Sequence, residues 1–246
     1  MLFRSNLNIN YLAGRDLVLF PFLYLCGRMK RIYTILYIHV MGGGADSRIP
    51  SILREHFLSG FGGSPIEVVC RTYSFDPEYA RGQIDSWVSE LQPDLLIGES
   101  LGSLHALRYN DLPCLLVSPA LNAPLYFELM AWLCLIPGVG RIFDRIYRPR
   151  EGDRQRLHFT FPLLRKYIPH RVKALSSDRS SGPRSVPVHA FFGTRDHYRR
   201  SGVVSLGSWK RRFGDTFSVY EGTHFMEEEY IYSLLIPKVC DVLGIK

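Results

Sequence analysis

The chain has 246 residues, of which 46% are hydrophobic and 22% are charged. These values are typical of a globular protein, and the length suits one large α/β domain with a full core rather than two domains. Five cysteines, an odd number spread through apolar surroundings, argue against a disulfide framework or a metal site. They predict reduced thiols and a reducing, cytoplasmic location.

The formal net charge of +7 is concentrated in one segment. Residues 141–184 contain twelve Arg or Lys and four Asp or Glu, so the rest of the chain is nearly neutral. A solvated basic face is the simplest interpretation. The alternatives are attraction of an anionic substrate, a membrane surface or a nucleic acid.

Residues 1–28 differ from the rest of the chain. Their apolar run, Leu17–Cys26, is too short to span a bilayer, and no small-x-small cleavage site follows it. Three interpretations stay open: translation that begins at Met29, an additional packed or interfacial segment, and a targeting signal. In each case we expect the domain to occupy residues 29–246.

Strand and helix patterns alternate through that domain. Short apolar and β-branched runs separated by amphipathic stretches predict parallel strands joined by right-handed helical crossovers. The predicted strands are Ile32–Val40, Ile66–Thr72, Leu95–Ile97, Leu112–Ser118, Val186–Phe192 and Thr216–Tyr220. We therefore predict an α/β fold with a mostly parallel, doubly wound sheet of about six strands flanked by helices.

The segment 122–185, between the fourth and fifth predicted strands, has no strand pattern. It begins with an apolar part, Leu125–Val139, and continues into the Arg-rich part. A long insertion at this point is typical of a helical lid over the active face of the sheet. Its tail, Ser176–Arg184, is predicted to be a flexible return loop.

The stretch Gly98-Glu99-Ser100-Leu101-Gly102 joins the third predicted strand to a helical pattern. A serine at such a turn is held in a strained conformation that exposes its hydroxyl, and the flanking glycines let strand and helix approach closely. Ser100 is therefore the candidate nucleophile. The alternative is that it is only a small turn residue.

A serine hydroxyl needs a histidine to accept its proton and a carboxylate to orient that histidine. In a parallel sheet these groups belong on loops at the carboxyl ends of strands. Asp196 follows the fifth predicted strand, and His224 follows the sixth. The order Ser100, Asp196, His224 is the one expected for this kind of sheet.

Both assignments have alternatives. Asp196 can be a helix N-cap, with Glu221 or Asp46 as the acid. His197 competes as the base. Because one base and one acid on adjacent residues do not readily face each other, we predict His224.

The motifs Gly98–Gly102, Gly193–Asp196 and Gly222–His224, in this order of strands and helices, resemble the α/β-hydrolase superfamily. The resemblance extends from Met29 to the C-terminus. It implies a compact member of the superfamily that lacks the antiparallel strands which larger relatives carry first.

The same resemblance implies an oxyanion hole made of two backbone N–H groups. One is expected from Leu101, which follows the nucleophile at the start of a helix. The other is expected from the loop after the first strand, where relatives often have His-Gly before the donor. By that alignment Met41 donates. This chain has Val40 in place of the glycine, which leaves Gly42 as an alternative donor.

Four residues are expected to line the substrate pocket. They are His39 and Gly42 after the first strand, and Met130 and Trp132 in the insertion. His39 is expected to be a structural or pocket-wall histidine rather than a catalytic one.

These features predict a serine hydrolase that cleaves a carboxylic ester or thioester through an acyl-enzyme. The alternatives are an acyltransferase with the same triad, and a binding protein that kept only the fold. We expect a small-molecule substrate with an apolar part and an anionic part, and no nucleic-acid partner. No cofactor or metal is indicated, because no His or Cys cluster has ligand spacing.

Overall fold

The computed structural model describes residues 31–58, 65–148, 151–176 and 186–245. The leader expected over residues 1–28 lies outside these ranges. So does the predicted return loop, apart from its first residue, Ser176.

Six parallel strands form one sheet. They are β1 (Tyr33–Ile38), β2 (Ile66–Cys70), β3 (Leu95–Glu99), β4 (Cys114–Val117), β5 (Val188–Gly193) and β6 (Phe217–Tyr220). Their order across the sheet is β2-β1-β3-β4-β5-β6, and every neighbouring pair is parallel. The predicted doubly wound α/β fold is confirmed.

The order of the strands places a crevice between β1 and β3. The chain leaves β1 toward one edge of the sheet and returns at β3 to build the other half. Ile38 at the end of β1 is level with Gly98 near the end of β3. The loops that follow these two strands therefore meet at the carboxyl edge, where open parallel sheets form their sites.

Helices connect the strands. They are α1 (Arg48–Leu58), α2 (Pro77–Leu91), α3 (Gly102–Ala106), α4 (Ala123–Leu133), α5 (Val139–Ile146), α6 (Phe161–Arg165), α7 (Tyr167–Ser176), α8 (His197–Ser201), α9 (Leu206–Phe213), α10 (Glu228–Tyr230) and α11 (Ile236–Leu243). The described residues between β4 and β5 thus form α4, α5, α6 and α7, in the segment where the sequence predicts helices.

The strands are apolar because both faces of the sheet are covered. Every residue of β3 and β4 is buried. Leu96 and Leu116 belong to the core on one face, whereas Ile97 and Leu115 belong to the core on the other. Burial of both faces explains the continuous apolar runs in the sequence. In a sheet with one face exposed to solvent, apolar and polar residues would alternate along each strand.

The sequence pattern predicts a helix near Val203–Phe213, whereas in the structure this helix, α9, begins at Leu206. Asp196 caps a separate short helix, α8, which ends at Gly202 with a φ of 80°. Ser205 then caps α9 by accepting a hydrogen bond from the N–H of Ser208. The sequence also predicts a helix over Glu227–Leu243. In the structure this stretch contains a π-helical turn, Ile231–Leu235, which ends two residues before Pro237. Proline has no N–H to continue the regular ladder, and such interruptions accompany π-turns.

Gly102 provides the clearest test of the packing around the crevice. A Cβ at this position would lie 2.3 Å from the carbonyl oxygen of Ile38 and 2.6 Å from that of His39. Because both atoms are backbone atoms at the end of β1 and in the residue after it, Gly102→Ala is expected to lower the free energy of unfolding by about 1–3 kcal/mol. Urea or thermal unfolding measures the change.

Gly82→Ala is the matched control. Gly82 is exposed within α2, and a Cβ added there would have no neighbour within 4 Å. Alanine there is expected to raise the free energy of unfolding by about 0.5–1 kcal/mol through helix propensity. Equal stabilities for Gly102→Ala and the wild type would contradict the packing argument.

Candidate active site

Ser100 lies at a sharp turn between β3 and α3. Its φ is 52°, in the left-handed region that non-glycine residues rarely adopt. The turn is held by its own backbone, because the N–H of Ser100 donates to the carbonyl of Val117 and its carbonyl accepts from Ala120. The strained conformation expected from the sequence is therefore present at Ser100.

The two glycines around Ser100 are required by close approach. A Cβ at Gly98 would lie 2.8 Å from the Cα of Ser103, and Gly102 has no room beside the end of β1. Both contacts bring the start of α3 against the sheet. The helix α3 consequently begins two residues after Ser100, with Leu101 as its N-cap.

A third glycine brings the last two loops together. A Cβ at Gly193, the last residue of β5, would lie 2.4 Å from the carbonyl oxygens of Gly222 and Thr223. The N–H of Arg195 also donates to the carbonyl of Gly222. The loop that carries His224 is thereby held against the loop that carries Asp196.

Ser100, His224 and Asp196 form one hydrogen-bonded chain. The Oγ of Ser100 lies 2.9 Å from Nε2 of His224, and Nδ1 of His224 lies 2.9 Å from Oδ2 of Asp196. With its proton on Nδ1, the imidazole donates to Asp196 and accepts from Ser100. All three side chains are buried. The structure therefore brings together the three residues singled out in the sequence.

Asp196 has two partners, one for each carboxylate oxygen. Oδ2 faces His224, while Oδ1 accepts a hydrogen bond of 2.8 Å from the N–H of Tyr198 at the start of α8. The N-cap role and contact with the histidine therefore coexist. The ring of Tyr198 also packs edge-on against the His224 ring, with centroids 4.6 Å apart, which limits rotation of the imidazole.

The alternative acids and base lie elsewhere. Asp46 forms an ion pair with Arg154. Glu221 is exposed at the end of β6, and the hydrogen bonds it accepts go to its backbone carbonyl. His197 is exposed at the start of α8, and its ring centroid is 6.2 Å from that of His224.

The candidate oxyanion donors differ in whether their backbone N–H groups already have an acceptor. The N–H groups of Leu101 and Met41 donate to no acceptor within the described ranges. By contrast, the N–H of Gly42 donates to Oε1 of Gln155 at 2.9 Å. Of the two candidates in the loop after β1, Met41 is therefore the one whose donor is free.

Gln155 is a buried residue that sequence reasoning missed. Besides accepting from Gly42, it donates its own backbone N–H to the carbonyl of Gly43 at 2.7 Å. Its side chain is 1% exposed. The only sequence signal was one glutamine in an Arg-rich segment, which gave no indication of a contact 113 residues away.

His39 is buried beneath the loop that follows β1. Its ring stacks on Tyr73 with centroids 4.3 Å apart, and its backbone carbonyl accepts a hydrogen bond from the Tyr73 hydroxyl. Burial is the main cause that lowers the pKa of His39 to about 4. The histidine is therefore neutral at pH 7 and packs within the fold.

Glu99 lies directly before Ser100 and is fully buried. Its carboxyl accepts a hydrogen bond of 2.7 Å from the hydroxyl of Tyr37 on β1. Burial raises the pKa of Glu99, with the Tyr37 hydrogen bond acting in the opposite direction. The contact joins the ends of β1 and β3 beneath the crevice.

Solved structures with a similar fold are known. A monoacylglycerol lipase from Paleococcus ferrophilus is 20% identical, with a TM-score of 0.52 over 86% of this chain and 94% of that one. A putative hydrolase from Agrobacterium vitis S4 is 14% identical, with a TM-score of 0.56 over 86% and 88%. The chain has the α/β-hydrolase fold.

A further structure extends the same similarity. The fluorophosphonate-binding serine hydrolase F of Staphylococcus aureus is 11% identical, with a TM-score of 0.52 over 89% of this chain and 86% of that one. No protein-family model matches the chain, and no curated protein matches its sequence. The chain therefore resembles α/β-hydrolases in its fold, whereas its sequence is only 11% to 20% identical to these three structures.

A cavity of about 780 Å³ opens at Ser100 and His224. Apolar side chains provide much of its wall, among them Leu101, Phe127, Met130, Leu133, Leu157 and Phe159. Of the four residues that the sequence suggested for the substrate pocket, Gly42 and Met130 line this cavity. His39 and Trp132 do not: His39 lies below the loop, and Trp132 packs against Phe161 on an exposed face.

Three further properties of the described residues concern membrane-spanning helices, metal clusters and disulfides. None of their helices is long and apolar enough to cross a membrane. Within the same ranges no cluster of three or more His, Cys, Asp or Glu could hold a metal ion. The four cysteines that the structure describes, Cys70, Cys114, Cys134 and Cys240, are free thiols.

Gln155→Ala tests the contact that holds the loop of the α/β-hydrolase fold after β1. The substitution leaves the N–H of Gly42 without its acceptor, and a hydrogen-bonding group left unpaired typically costs about 1–3 kcal/mol. We expect the free energy of unfolding to fall by that amount in urea melts. Arg156→Ala, at an exposed neighbour, should stay within about 0.5 kcal/mol of the wild type. Equal loss in both variants would contradict the assigned contact.

Proposed function

We propose that this protein is a serine hydrolase that cleaves a carboxylic ester or thioester through an acyl-enzyme intermediate. The observation that carries the proposal is the hydrogen-bonded chain from Ser100 through His224 to Asp196, at the floor of a largely apolar cavity. The backbone N–H groups of Leu101 and Met41, which have no acceptor among the described residues, would supply the donors that stabilise the oxyanion of an acyl transfer.

The first half of the reaction forms the acyl-enzyme. Nε2 of His224 accepts the Ser100 proton as Oγ attacks the carbonyl carbon, which gives a tetrahedral oxyanion. Asp196 keeps the imidazole in the tautomer that can accept this proton and stabilises the imidazolium. The imidazolium then protonates the leaving alcohol or thiol as the tetrahedral intermediate collapses.

The second half uses water in place of the alcohol or thiol. His224 removes a proton from the water as it attacks the acyl carbon, and a second tetrahedral intermediate forms. Collapse releases the carboxylic acid and returns the proton to Oγ of Ser100. The reaction consumes one water and needs no other reactant.

Leu101 and Met41 are the proposed oxyanion donors. Leu101 lies at the N-terminus of α3, where the helix dipole also favours negative charge. Met41 is favoured over Gly42 because the Gly42 N–H is already occupied by Gln155. Each donor contributes about 3 kcal/mol to stabilisation of the transition state in enzymes of this type.

The segment between β4 and β5 is proposed to be the lid. Helix α4 contributes Phe127 and Met130 to the cavity wall, and Leu157 and Phe159 follow from the connection between α5 and α6. These side chains favour an acyl group and exclude water from the serine. The free thiols of the described cysteines are compatible with the proposed reducing, cytoplasmic location.

Ser100→Ala tests the nucleophile. We expect it to abolish covalent labelling by a fluorophosphonate probe and to lower the kcat for a 4-nitrophenyl ester by roughly 10⁴-fold or more. Ser201→Ala is the matched control. That serine also lines the cavity, but its hydroxyl donates to the carbonyl of Tyr198, so labelling should persist. Labelling of the Ser100→Ala protein would refute the proposed nucleophile.

Two substitutions at Asp196 separate its two contacts. Asn can still cap α8 but cannot hold His224 in the productive tautomer, so Asp196→Asn should lower kcat by about 10³–10⁴-fold. Asp196→Ala removes the cap as well and should be less stable than Asp196→Asn by about 1 kcal/mol. Kinetics and urea melts on both proteins give the two values. An Asn variant with wild-type kcat would rule out the orienting role.

A further inference from the structure

We propose that the substrate is an amphiphilic ester or thioester whose anionic group, a carboxylate or phosphate, is bound by Arg154 and Arg148 beside the catalytic serine. This inference rests on the proposed hydrolase function and specifies its substrate class. It departs from the simplest interpretation of the basic segment as a solvated face.

Arg154 is fixed next to the loop that follows β1. Its backbone forms an isolated antiparallel bridge with Gly44, and the following residue, Gln155, is bonded to Gly42 and Gly43. Gly44 is three residues from Met41 in the chain, so the Cα atoms of Gly44 and Met41 are at most about 11 Å apart. The Arg154 backbone is thus paired with the loop that carries Met41, one of the two proposed oxyanion donors.

The guanidinium of Arg154 retains donors for a ligand. Its Nε lies 3.0 Å from Oδ1 of Asp46, whose side chain is half exposed. The two terminal nitrogens have no acceptor within the described ranges. Asp46 therefore lies against Nε of Arg154, and Arg154 is one of the residues that line the cavity.

Arg148 is the second cation of the cavity. It lies two residues beyond α5, lines the same cavity as Ser100 and has no ion pair among the described residues. No Asp or Glu of the described ranges lines this cavity. An anionic group that enters the cavity meets two arginines, and Asp46, which pairs with Arg154, does not line the cavity. Planar guanidinium groups bind carboxylate and phosphate well.

Two other cations of the basic segment are already paired with carboxylates. Arg165 pairs with Glu128, and Lys166 pairs with Asp76 and Glu78. These contacts are made away from the catalytic cavity, because none of the five residues lines it. Among the described residues of this segment, the arginines that line the cavity are Arg148 and Arg154.

The rest of the cavity favours an apolar chain. An apolar wall is provided by Phe127, Met130 and Leu133 of α4 and by Phe159. A fully neutral ester would match these side chains but would leave the two arginines of the same cavity without an anionic partner in the ligand. A neutral substrate would displace water from the guanidinium groups without replacing its hydrogen bonds. An amphiphile satisfies both parts of the cavity, which is why we infer this substrate class.

Two pairs of esters test the inference with the full chain. In the first pair the acyl chain differs: 4-nitrophenyl hydrogen glutarate carries a carboxylate, and 4-nitrophenyl hexanoate of similar length does not. In the second pair the leaving group differs: 4-butyryloxybenzoate is anionic, and phenyl butyrate is neutral. We expect kcat/KM to favour the anionic ester by about tenfold or more in at least one pair, after correction for the alkaline hydrolysis rate of each ester.

Arginine substitutions identify the cause of that preference. Arg154→Gln and Arg148→Gln should each lower the anionic-to-neutral ratio of kcat/KM by about tenfold. Arg156→Gln and Arg145→Gln are matched controls, because both are exposed neighbours that do not line the cavity, and their ratio should equal the wild-type ratio. Added salt should lower the wild-type ratio, since screening weakens exposed charge pairs.

The outcomes separate this inference from the proposed function. Ser100-dependent hydrolysis with equal efficiency for both members of each pair would overturn the anionic substrate class and leave the hydrolase proposal intact. A preference that survives in Arg148→Gln and Arg154→Gln, or is lost equally in the control variants, would overturn the assignment to these arginines. Absence of both hydrolysis and fluorophosphonate labelling would overturn the two proposals together.

Discussion

The site depends on one backbone constraint, the left-handed conformation of Ser100 between two glycines. The turn is tight enough that a Cβ at Gly98 or Gly102 would collide with the start of α3 or with the end of β1. Strain of this kind persists only where surrounding packing imposes it, and here buried strands lie on both sides. The fold therefore holds the serine hydroxyl at a fixed place before any ligand arrives.

The remaining groups reach that hydroxyl because parallel strands end at one edge. Asp196 follows β5 and His224 follows β6, and Gly193 allows the two loops to touch. Asp196 then serves two structures at once, since one oxygen caps α8 and the other faces His224. Stability of the loop and orientation of the imidazole are consequently coupled through a single carboxylate.

The segment between β4 and β5 supplies cavity-lining side chains that the loops at the sheet edge do not provide. It contributes apolar side chains to the cavity at Ser100, while Gln155 accepts a hydrogen bond from the loop after β1 and Arg154 lines the same cavity. In the proposed reaction, the sheet provides the chemistry and this segment selects the substrate. The same short stretch would then both position an oxyanion donor and recognise an anionic group.

The sequence by itself determined the parallel sheet, the turn at Ser100 and the loops of Asp196 and His224, because strand runs, glycines and chain order are local signals. It did not separate Met41 from Gly42, because that choice depends on Gln155, which is distant in sequence. The exclusion of His39 and Trp132 from the cavity, and the inclusion of Arg154, also came only from the tertiary structure. Periodicity shows that a residue packs, whereas the neighbour it packs against is set by how distant segments meet.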